Sequence, residues 1–319
     1  MSKVAFVAVL TGLLASSVGA DPDMVRWGEG GLPEDAELDN FIIGGTDVVP
    51  GELPFYGHFQ GVTMCGGALI HEDIFVTAAH CLEDGFPSTI RIGATTTVSA
   101  NEGIEVPVCA GIIHPNNNMK SMENDIAILK LCDQVKINSY AEYDTSTAEP
   151  PTGQDFWIVG FGRTSVNGNL SPFLKKAKVD YLNSAVCAGR YTKYDALENM
   201  CVDGATTAIC YGDSGGPLLD VNNKVFGFAS FIIDTCGSEY PDFFTRVSTY
   251  AGWLREMTCT QAINPPMECA VASGGTGNGG GNPSQGNEGG DPAAPADALT
   301  ECLNVLVGLI QSLATILGG

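Results

Sequence analysis

Short apolar runs separated by Gly, Pro, Asn and Asp fill the chain between Ile42 and Thr258. Examples of these runs are Phe75-Val76, Ile126 to Leu131, Trp157 to Val159, Pro217 to Leu219 and Val225 to Phe228. Runs of this length and spacing, without amphipathic helices between them, are typical of strands in an all-β sandwich or barrel. The one helix that we predict in this region covers Tyr250 to Met257. The pattern therefore predicts an all-β fold.

The chain is strongly acidic. Its 319 residues include 15 Lys and Arg against 37 Asp and Glu, which gives a formal net charge of −22. Phosphate binding needs clustered basic side chains that displace counterions, so this excess of acid argues against nucleic acid as the main partner. It equally disfavours an anionic membrane surface. The length is sufficient for one or two domains, since a domain commonly holds about 100 to 200 residues.

The first 20 residues have the composition of a secretory signal, with Lys3, an apolar run from Val4 to Leu14 and a small residue at Ala20. The run is too short to span a bilayer, which needs about 20 residues. Cleavage after Ala20 would leave residues 21–41, which contain seven acids and one base and show neither strand alternation nor a helical stripe. We interpret residues 21–41 as a solvated acidic pro-segment, and a merely disordered arm is the alternative.

We interpret residues 259–297 as a linker rich in Gly and Pro. Nine of the eighteen residues from Ser273 to Gly290 are Gly. Such a stretch cannot bury enough apolar surface to offset its ordering entropy.

Residues 298–319 have a different pattern, with apolar residues at alternating spacings of four and three. These residues are Leu299, Leu303, Leu306, Ile310, Leu313 and Leu317. On a helix they form one continuous stripe. Three interpretations compete: a helix that docks on a partner or on itself, an interfacial membrane helix, and a cleaved lipid-anchor signal. The absence of Lys or Arg after Arg255 disfavours the second and a short apolar tail disfavours the third, so we favour docking or self-association.

Three segments of the central region carry residues with catalytic chemistry. They are Thr77-Ala78-Ala79-His80-Cys81, Asn124-Asp125-Ile126-Ala127-Ile128-Leu129 and Gly212-Asp213-Ser214-Gly215-Gly216-Pro217. A serine hydroxyl needs an adjacent base to take its proton, and that base needs a buried carboxylate to fix its tautomer. The backbone N–H groups of Gly212 and Ser214 can converge on a developing oxyanion. The three segments in this order therefore indicate nucleophilic catalysis.

From Ile42 to about Thr258 the chain resembles the secreted trypsin-like and chymotrypsin-like serine proteases nearly end to end. Besides the three catalytic segments it contains Ile42-Ile43-Gly44-Gly45, Cys65-Gly66-Gly67-Ala68-Leu69-Ile70, Gly160-Phe161-Gly162 and Phe243-Phe244-Thr245-Arg246-Val247. The resemblance implies a protease domain at residues 42–258. That domain would have two six-stranded antiparallel β-barrels of chymotrypsin type, a C-terminal helix and an active site in the cleft between the barrels. A flexible C-terminal extension would follow.

The resemblance also implies the roles of the site residues. His80 would be the general base and acid, Asp125 its orienting carboxylate and Ser214 the nucleophile that forms an acyl-enzyme. Ser230 matches the family serine that hydrogen-bonds the buried aspartate. The chain would be a secreted, extracellular endopeptidase without cofactor or metal, acting on proteins or peptides and open to protein inhibitors. The alternative is a binding or inhibitory module on a protease fold, with little catalytic activity.

The family assigns a role to the pro-segment as well. A cut before Ile42 would free an ammonium that inserts beside Asp213, and this buried charge pair would organise the oxyanion loop. Residue 41 is Phe, whereas a trypsin-like activator needs Arg or Lys. We therefore predict activation by an enzyme with aromatic preference, or by the protein itself.

Eleven cysteines point to an oxidising compartment, and the odd number leaves at least one outside an internal pair. The resemblance implies three disulfides, and a fourth is proposed on segments that should be neighbouring strands: Cys65–Cys81, Cys187–Cys201, Cys210–Cys236 and Cys109–Cys132. For the others the simplest pairing is Cys259–Cys269, which leaves Cys302 for an intermolecular link. Metal binding is the alternative for cysteine clusters, but no CxxC spacing occurs and the family's acidic calcium loop is not evident after Gly93.

Three positions match the primary specificity pocket of the family. Ala208 occupies the pocket floor, where a trypsin-like preference would need an aspartate. Ile232 and Asp242 replace two pocket-wall glycines. Ile232 would narrow the pocket and favour small or medium apolar residues, whereas Asp242 would attract Lys or Arg unless it is hydrogen-bonded inward. We favour the apolar preference, because a substrate side chain that enters the pocket would meet Ile232 before it reached Asp242.

One glycosylation acceptor is present at Asn169-Leu170-Ser171, in a polar segment that a secreted protein could expose.

Overall fold

The structure of the chain, a computed structural model, describes residues 24–25, 45–61 and 64–272. The strands are, in chain order, β1 (Met24–Val25), β2 (Thr46–Asp47), β3 (Tyr56–Phe59), β4 (Gly66–His71), β5 (Ile74–Thr77), β6 (Thr89–Ile92), β7 (Ile104–Ile113), β8 (Ala127–Leu131), β9 (Asp155–Gly160), β10 (Lys175–Leu182), β11 (Asn199–Val202), β12 (Pro217–Leu219), β13 (Val225–Ile233) and β14 (Asp242–Arg246). The helices are α1 (Ser184–Arg190), α2 (Ala251–Gln261) and α3 (Met267–Ala272), with short 3-10 turns at Ala79–Leu82 and Val247–Tyr250. The signal, Ile42, most of the linker, Cys302 and the tail at 298–319 lie outside the described residues.

The first barrel closes in the order β3-β4-β5-β8-β7-β6, and all its pairs are antiparallel. Strands β5 and β8 are apolar throughout most of their paired segment and are largely buried, with Phe75 opposite Leu129. Gly67 permits β4 to pack closely against β5, because a Cβ there would overlap the carbonyl oxygen of Val76 and the ring of Phe75. Close packing in the barrel therefore requires glycine at this position, although glycine usually weakens the interior of a strand.

The second barrel is formed by β9 to β14. Its strands follow the order β13-β12-β9-β10-β11-β14, and pairing between β13 and β14 closes the ring. Strand β2 pairs with β10 outside the ring, and β1 pairs with β13. The predicted fold class, two six-stranded antiparallel β-barrels with a C-terminal helix, is confirmed.

The helices differ in detail from the prediction. The helix expected over Tyr250 to Met257 is α2, which begins at Ala251 and continues to Gln261. Helices α1 and α3 were not predicted, because seven and six residues are too few for a periodic apolar stripe. The start of α1 could have been predicted from Asn183, a residue type that often caps helices. Its side chain accepts a hydrogen bond from the N–H of Val186. None of the helices in the described part of the chain is long and apolar enough to cross a membrane.

Five disulfides connect the described cysteines. They are Cys65–Cys81, Cys109–Cys132, Cys187–Cys201, Cys210–Cys236 and Cys259–Cys269. These are the pairs expected from the sequence. The last of them joins α2 to α3, so the start of the predicted linker contains crosslinked helices that the sequence did not indicate.

Candidate active site

His80 and Asp125 meet because the strands beside them are paired. Thr77 at the end of β5 lies opposite Ala127 at the start of β8, which brings the turn after β5 against the segment before β8. His80 Nδ1 lies 2.8 Å from Asp125 Oδ2, and the backbone N–H of His80 donates to Asp125 Oδ1 at 2.8 Å. A carboxylate only accepts, so Nδ1 of His80 carries the proton and Nε2 is left as an acceptor.

Two side chains from the second barrel hold Asp125 in place. Ser230 Oγ on β13 donates to Asp125 Oδ2 at 2.6 Å, and Thr245 Oγ1 on β14 donates to its backbone carbonyl at 2.8 Å. Asp125 is 1% exposed. Both barrels therefore fix the carboxylate that orients His80. The sequence pointed to Ser230, but Thr245 had no expected role beyond its place in a motif.

The loop before Asp125 has a further support that the sequence did not indicate. Asn124 has a φ of 51°, a left-handed conformation that Asn adopts more readily than most residues. Its backbone N–H donates to Glu198 Oε2 at 3.1 Å, and Tyr250 Oη lies 3.3 Å from its side-chain oxygen. Glu198 has no sequence signal of its own, because the contact joins residues that are far apart in the chain.

Ser214 lies on a glycine-bounded turn between the two barrels. Its carbonyl accepts from the N–H of Gly66 on β4 at 2.8 Å, and the next residue, Gly215, donates to Ala229 on β13 at 2.9 Å. Gly215 has a φ of 70°, and a Cβ at this position would overlap Thr77 Oγ1. The turn therefore requires glycine to place Ser214 against the first barrel.

The hydroxyl of Ser214 is buried and makes no hydrogen bond with the described residues. Nε2 of His80 approaches Cys81 Sγ at 3.9 Å, a weak contact with a disulfide sulfur. The structure thus brings His80, Asp125 and Ser230 into one network and leaves the Ser214 hydroxyl outside it. Catalytic hydrogen bonds of this kind often tighten only when substrate is bound.

The backbone N–H groups of Gly212 and Ser214 donate to no acceptor among the residues that the structure describes. Gly212 has a φ of 98°, which glycine adopts without strain. Two unpaired N–H groups on the turn that carries a serine hydroxyl can stabilise negative charge on a reacting carbonyl oxygen.

Asp213 is buried beside this turn. Its carboxylate accepts from the N–H of Gly162 at 2.8 Å and from that of Cys210 at 2.9 Å. Burial raises the pKa of Asp213 to about 7, although the two N–H groups act in the opposite direction. In the described part of the chain no cationic side chain pairs with it. A side chain at Gly160 or Gly162 would overlap the carboxylate, which explains the Gly-Phe-Gly segment.

The three expected pocket residues lie together. Ile232 on β13 is directly opposite Asp242 on β14. Asp242 Oδ2 accepts from the N–H of Ile209, the residue after Ala208, at 2.7 Å. All three are buried, and burial raises the pKa of Asp242 well above its usual range, with Asp213 and Asp203 adding to the effect. The inward hydrogen bond of Asp242 was one of the alternatives left open by the sequence.

One group of potential metal ligands occurs among the described residues: Cys65, His80 and Cys81 have ligand atoms within 4.8 Å of one another. Both sulfurs belong to the Cys65–Cys81 disulfide, so neither can act as a thiolate ligand.

The chain is similar in sequence to known proteins. The sequence model of the family described as Trypsin matches residues 42–254. A vitellin-degrading protease of Bombyx mori is 34% identical over 225 residues, which are 67% of this chain and 84% of the relative. A trypsin of Sarcophaga bullata is 32% identical over 71% of this chain and 92% of its own length. Chymotrypsin-like elastase family member 1 of Macaca fascicularis is 33% identical over 69% of this chain and 90% of its own. The chain therefore belongs to the trypsin family of serine proteases and is a serine endopeptidase that acts on proteins or peptides.

Proposed function

We propose that the chain hydrolyses peptide bonds through an acyl-enzyme at Ser214, with His80 as general base and Asp125 as the group that orients it. The observation that carries this proposal is the network of Ser230, Asp125 and His80, which leaves Nε2 as an acceptor. Beside it, the Ser214 hydroxyl has no hydrogen-bond partner among the described residues. A base with a fixed tautomer and a free hydroxyl are what acyl transfer requires.

The reaction proceeds in two halves. Ser214 Oγ attacks the scissile carbonyl while its proton passes to Nε2 of His80, and the N–H groups of Gly212 and Ser214 stabilise the oxyanion. His80 then gives the proton to the leaving amine, and the C–N bond breaks. Water hydrolyses the resulting ester with His80 again taking and returning a proton. Asp125 stabilises the imidazolium in both halves and keeps its own charge.

A fluorophosphonate probe tests the nucleophile directly. After activation the chain should be labelled stoichiometrically at Ser214, and the Ser214→Ala variant should not be labelled. His80→Ala should also lose labelling, because the hydroxyl then has no base. Absence of labelling in a chain shown to begin at Ile42 would support the alternative, a binding or inhibitory module on the same fold.

We also propose that the chain is made as a zymogen. Asp213 is a buried carboxylate without a cationic partner in the described residues, and the ammonium of Ile42, freed by cleavage, would supply one. Because residue 41 is Phe, the activating cut would come from an enzyme with aromatic preference or from the protein itself. Sequencing the N-terminus of the mature form checks this, and a start elsewhere than Ile42 would contradict it.

For specificity we propose a non-tryptic preference for small to medium apolar residues. Ala208 supplies no negative charge at the pocket floor. We propose that Asp242 does not attract basic substrate side chains. It is buried, it accepts a hydrogen bond from the N–H of Ile209 and its pKa is raised, and all three disfavour a free carboxylate that would bind Arg. Ile232, opposite Asp242, occupies a position where glycine would leave the pocket open.

We propose that the chain is secreted. The signal-like first 20 residues support this, as do five disulfides, which persist in oxidising compartments. The glycosylation proposal at Asn169 is supported by the exposure of that residue. From the sequence we also propose the domain boundaries given above and protein inhibitors as partners. We further propose that the tail docks on a partner or on itself, with Cys302 as an intermolecular link.

A further inference from the structure

A two-residue strand of the pro-segment pairs with the strand that supports the catalytic aspartate. Met24 lies opposite Ile233 and Val25 lies opposite Ile232, in antiparallel register. Ile232 is two residues beyond Ser230, whose hydroxyl donates to Asp125. Two strand residues span about 6.5 Å, so β1 lies close to the catalytic network.

The pairing pattern shows which edge of β13 is occupied. Ile232 has Asp242 of β14 as its partner on one side, so Val25 must lie on the other side. That other edge is the one on which β12 pairs with β13, at Phe228. The Ser214 turn joins the same edge, where Gly215 donates to the carbonyl of Ala229. This edge of β13 therefore runs from the nucleophile's turn to β1.

The direction of β1 follows from its antiparallel register. Strand β13 runs away from the Ser214 turn, from Ala229 to Ile233, so β1 runs from Ile233 back toward that turn. An extended chain in this orientation presents its carboxyl-terminal side to Ser214. The acyl half of a substrate must approach in the same sense, because the serine attacks the carbonyl at the carboxyl end of that half.

We propose that the Met24–Val25 segment is an inhibitory strand that occupies the substrate-docking edge of β13 in the uncleaved chain. It binds by adding a strand, so its affinity comes from main-chain hydrogen bonds. Met24 and Val25 already pair with Ile233 and Ile232, so a second peptide could not pair with β13 at these two positions on the same side. The inhibitory role rests on the proposed protease function and adds to it a second form of latency, independent of the pairing of Ile42 with Asp213.

Release follows from the covalent structure. No cysteine occurs before Cys65, so after a cut at Ile42 no disulfide ties residues 21–41 to the enzyme. In the uncleaved chain the tether supplies an effective concentration of about 1 mM, and cleavage removes it. A strand of modest affinity can then block the uncleaved chain and leave the mature enzyme free.

Hydrogen exchange on the uncleaved chain tests the occupied edge. The variant Met24→Pro/Val25→Pro removes both N–H groups, one of which faces β13 because successive N–H groups point to opposite sides. We expect faster exchange in the peptide that contains Ile232 and Ile233 in this variant, with unchanged exchange in β5 and β8. The control Gly30→Pro/Gly31→Pro should exchange as the natural chain does. Equal exchange at Ile232 and Ile233 in all three chains would overturn the proposal.

Binding in trans separates this proposal from the protease mechanism. A fluorescein-labelled peptide of residues 21–31 is titrated against the Ser214→Ala chain beginning at Ile42. This binding measurement does not require catalysis. We expect a dissociation constant of about 1 mM or below, and at least tenfold weaker binding by the Met24→Pro/Val25→Pro peptide. The Gly30→Pro/Gly31→Pro peptide should bind as the natural one. A dissociation constant well above about 1 mM, the effective concentration that the tether supplies, would overturn the proposal. Equal binding by all three peptides would also overturn it, whether or not the chain proves to be an active protease.

Discussion

Ile232 and Asp242 lie directly opposite each other where β13 and β14 pair, and both are buried. The sequence predicts opposite effects for these two residues in one pocket: the branched side chain would favour apolar substrate residues and the carboxylate would attract Lys or Arg. In the structure the two are neighbours. The carboxylate accepts from the N–H of Ile209 and has a raised pKa, so it is poorly placed to act as an open anionic site. Under the proposed specificity, this arrangement would give the isoleucine the larger influence on what the pocket accepts.

Substitution of Ile232 should therefore change specificity more than substitution of Asp242. For the mature enzyme we expect Ile232→Gly to raise kcat/KM for Phe or Tyr before the cut by about 10-fold or more over Ala, since added pocket space is worth about 1 to 3 kcal/mol. Asp242→Asn should leave the ratio of apolar substrates nearly unchanged. A peptide panel that varies only the residue before the cut measures both effects. Fast cleavage after Arg by the natural enzyme, lost in Asp242→Asn, would contradict these assignments.

The raised pKa of Asp213 should make the uncleaved chain less stable as the pH rises. The folded chain keeps a proton on Asp213 up to about pH 7, whereas the unfolded chain releases it near the ordinary value of 3.8. The stabilisation is complete below that value and is lost between about pH 4 and 7, by up to about 1.4 kcal/mol per pH unit. Tyr56 and Asp242 interact electrostatically with Asp213, and neither carries a compensating positive charge.

Chemical denaturation of uncleaved chains at pH 4.5 and pH 7.5 measures this effect. Asp213→Asn carries no titrating proton, so its free energy of unfolding should rise relative to that of the natural chain between the two pH values. After cleavage at Ile42 the natural chain should lose this dependence, because the proposed insertion of the Ile42 ammonium beside Asp213 would favour the charged form of the carboxylate. Parallel pH profiles for the uncleaved natural chain and the uncleaved Asp213→Asn chain would refute the prediction.

Loss of the Ser230 hydroxyl should lower kcat with little change in KM. Its hydrogen bond to the buried carboxylate of Asp125 is of the kind that contributes about 1.5 to 3 kcal/mol, so Ser230→Ala should lower kcat by about 10-fold to 100-fold. Thr245→Val removes a donor to the backbone carbonyl and should have a smaller effect. Steady-state kinetics with one apolar reporter peptide compares the two variants. A larger loss in Thr245→Val than in Ser230→Ala would argue against the assigned order.

Gly67 should be among the least replaceable residues of the first barrel. A Cβ there would overlap backbone and ring atoms of β5, so Gly67→Ala should lower the free energy of unfolding by about 1 to 3 kcal/mol or more. Gly252, on α2, serves as the matched control, because a Cβ added there would meet nothing within 4 Å. Gly252→Ala should be neutral or stabilising by up to about 1 kcal/mol. Thermal unfolding of both variants checks the contrast.

The barrels and the residues of the proposed catalytic network could be predicted from the sequence for a physical reason. Strands buried on both sides must be apolar, as between Ile126 and Leu131, and a nucleophile needs a base and a carboxylate in recognisable surroundings. The contacts of Glu198 and Thr245 with the Asp125 segment were not accessible. They depend on pairings between distant parts of the chain, and single polar residues carry no periodic signal.

Strand β1 illustrates the same limit. Two residues are too few to show alternation, and the segment around Met24 is rich in acids and Gly, which are depleted in strands. Strand β1 pairs with the part of β13 that continues beyond its pairing with β12. That edge is formed by the other strands of the barrel, so nothing within residues 21–41 could reveal it.

Trapping the acyl-enzyme is the decisive test of catalysis at Ser214. The mature chain, shown by sequencing to begin at Ile42, is mixed with a slowly deacylating p-nitrophenyl ester, quenched in acid, digested and mapped by mass spectrometry. We expect a burst of about one p-nitrophenolate per enzyme and an acyl group on Ser214, both absent in Ser214→Ala, because one nucleophile per chain forms the ester. Acylation of another residue, or undiminished peptide hydrolysis by Ser214→Ala, would show that Ser214 is not the nucleophile.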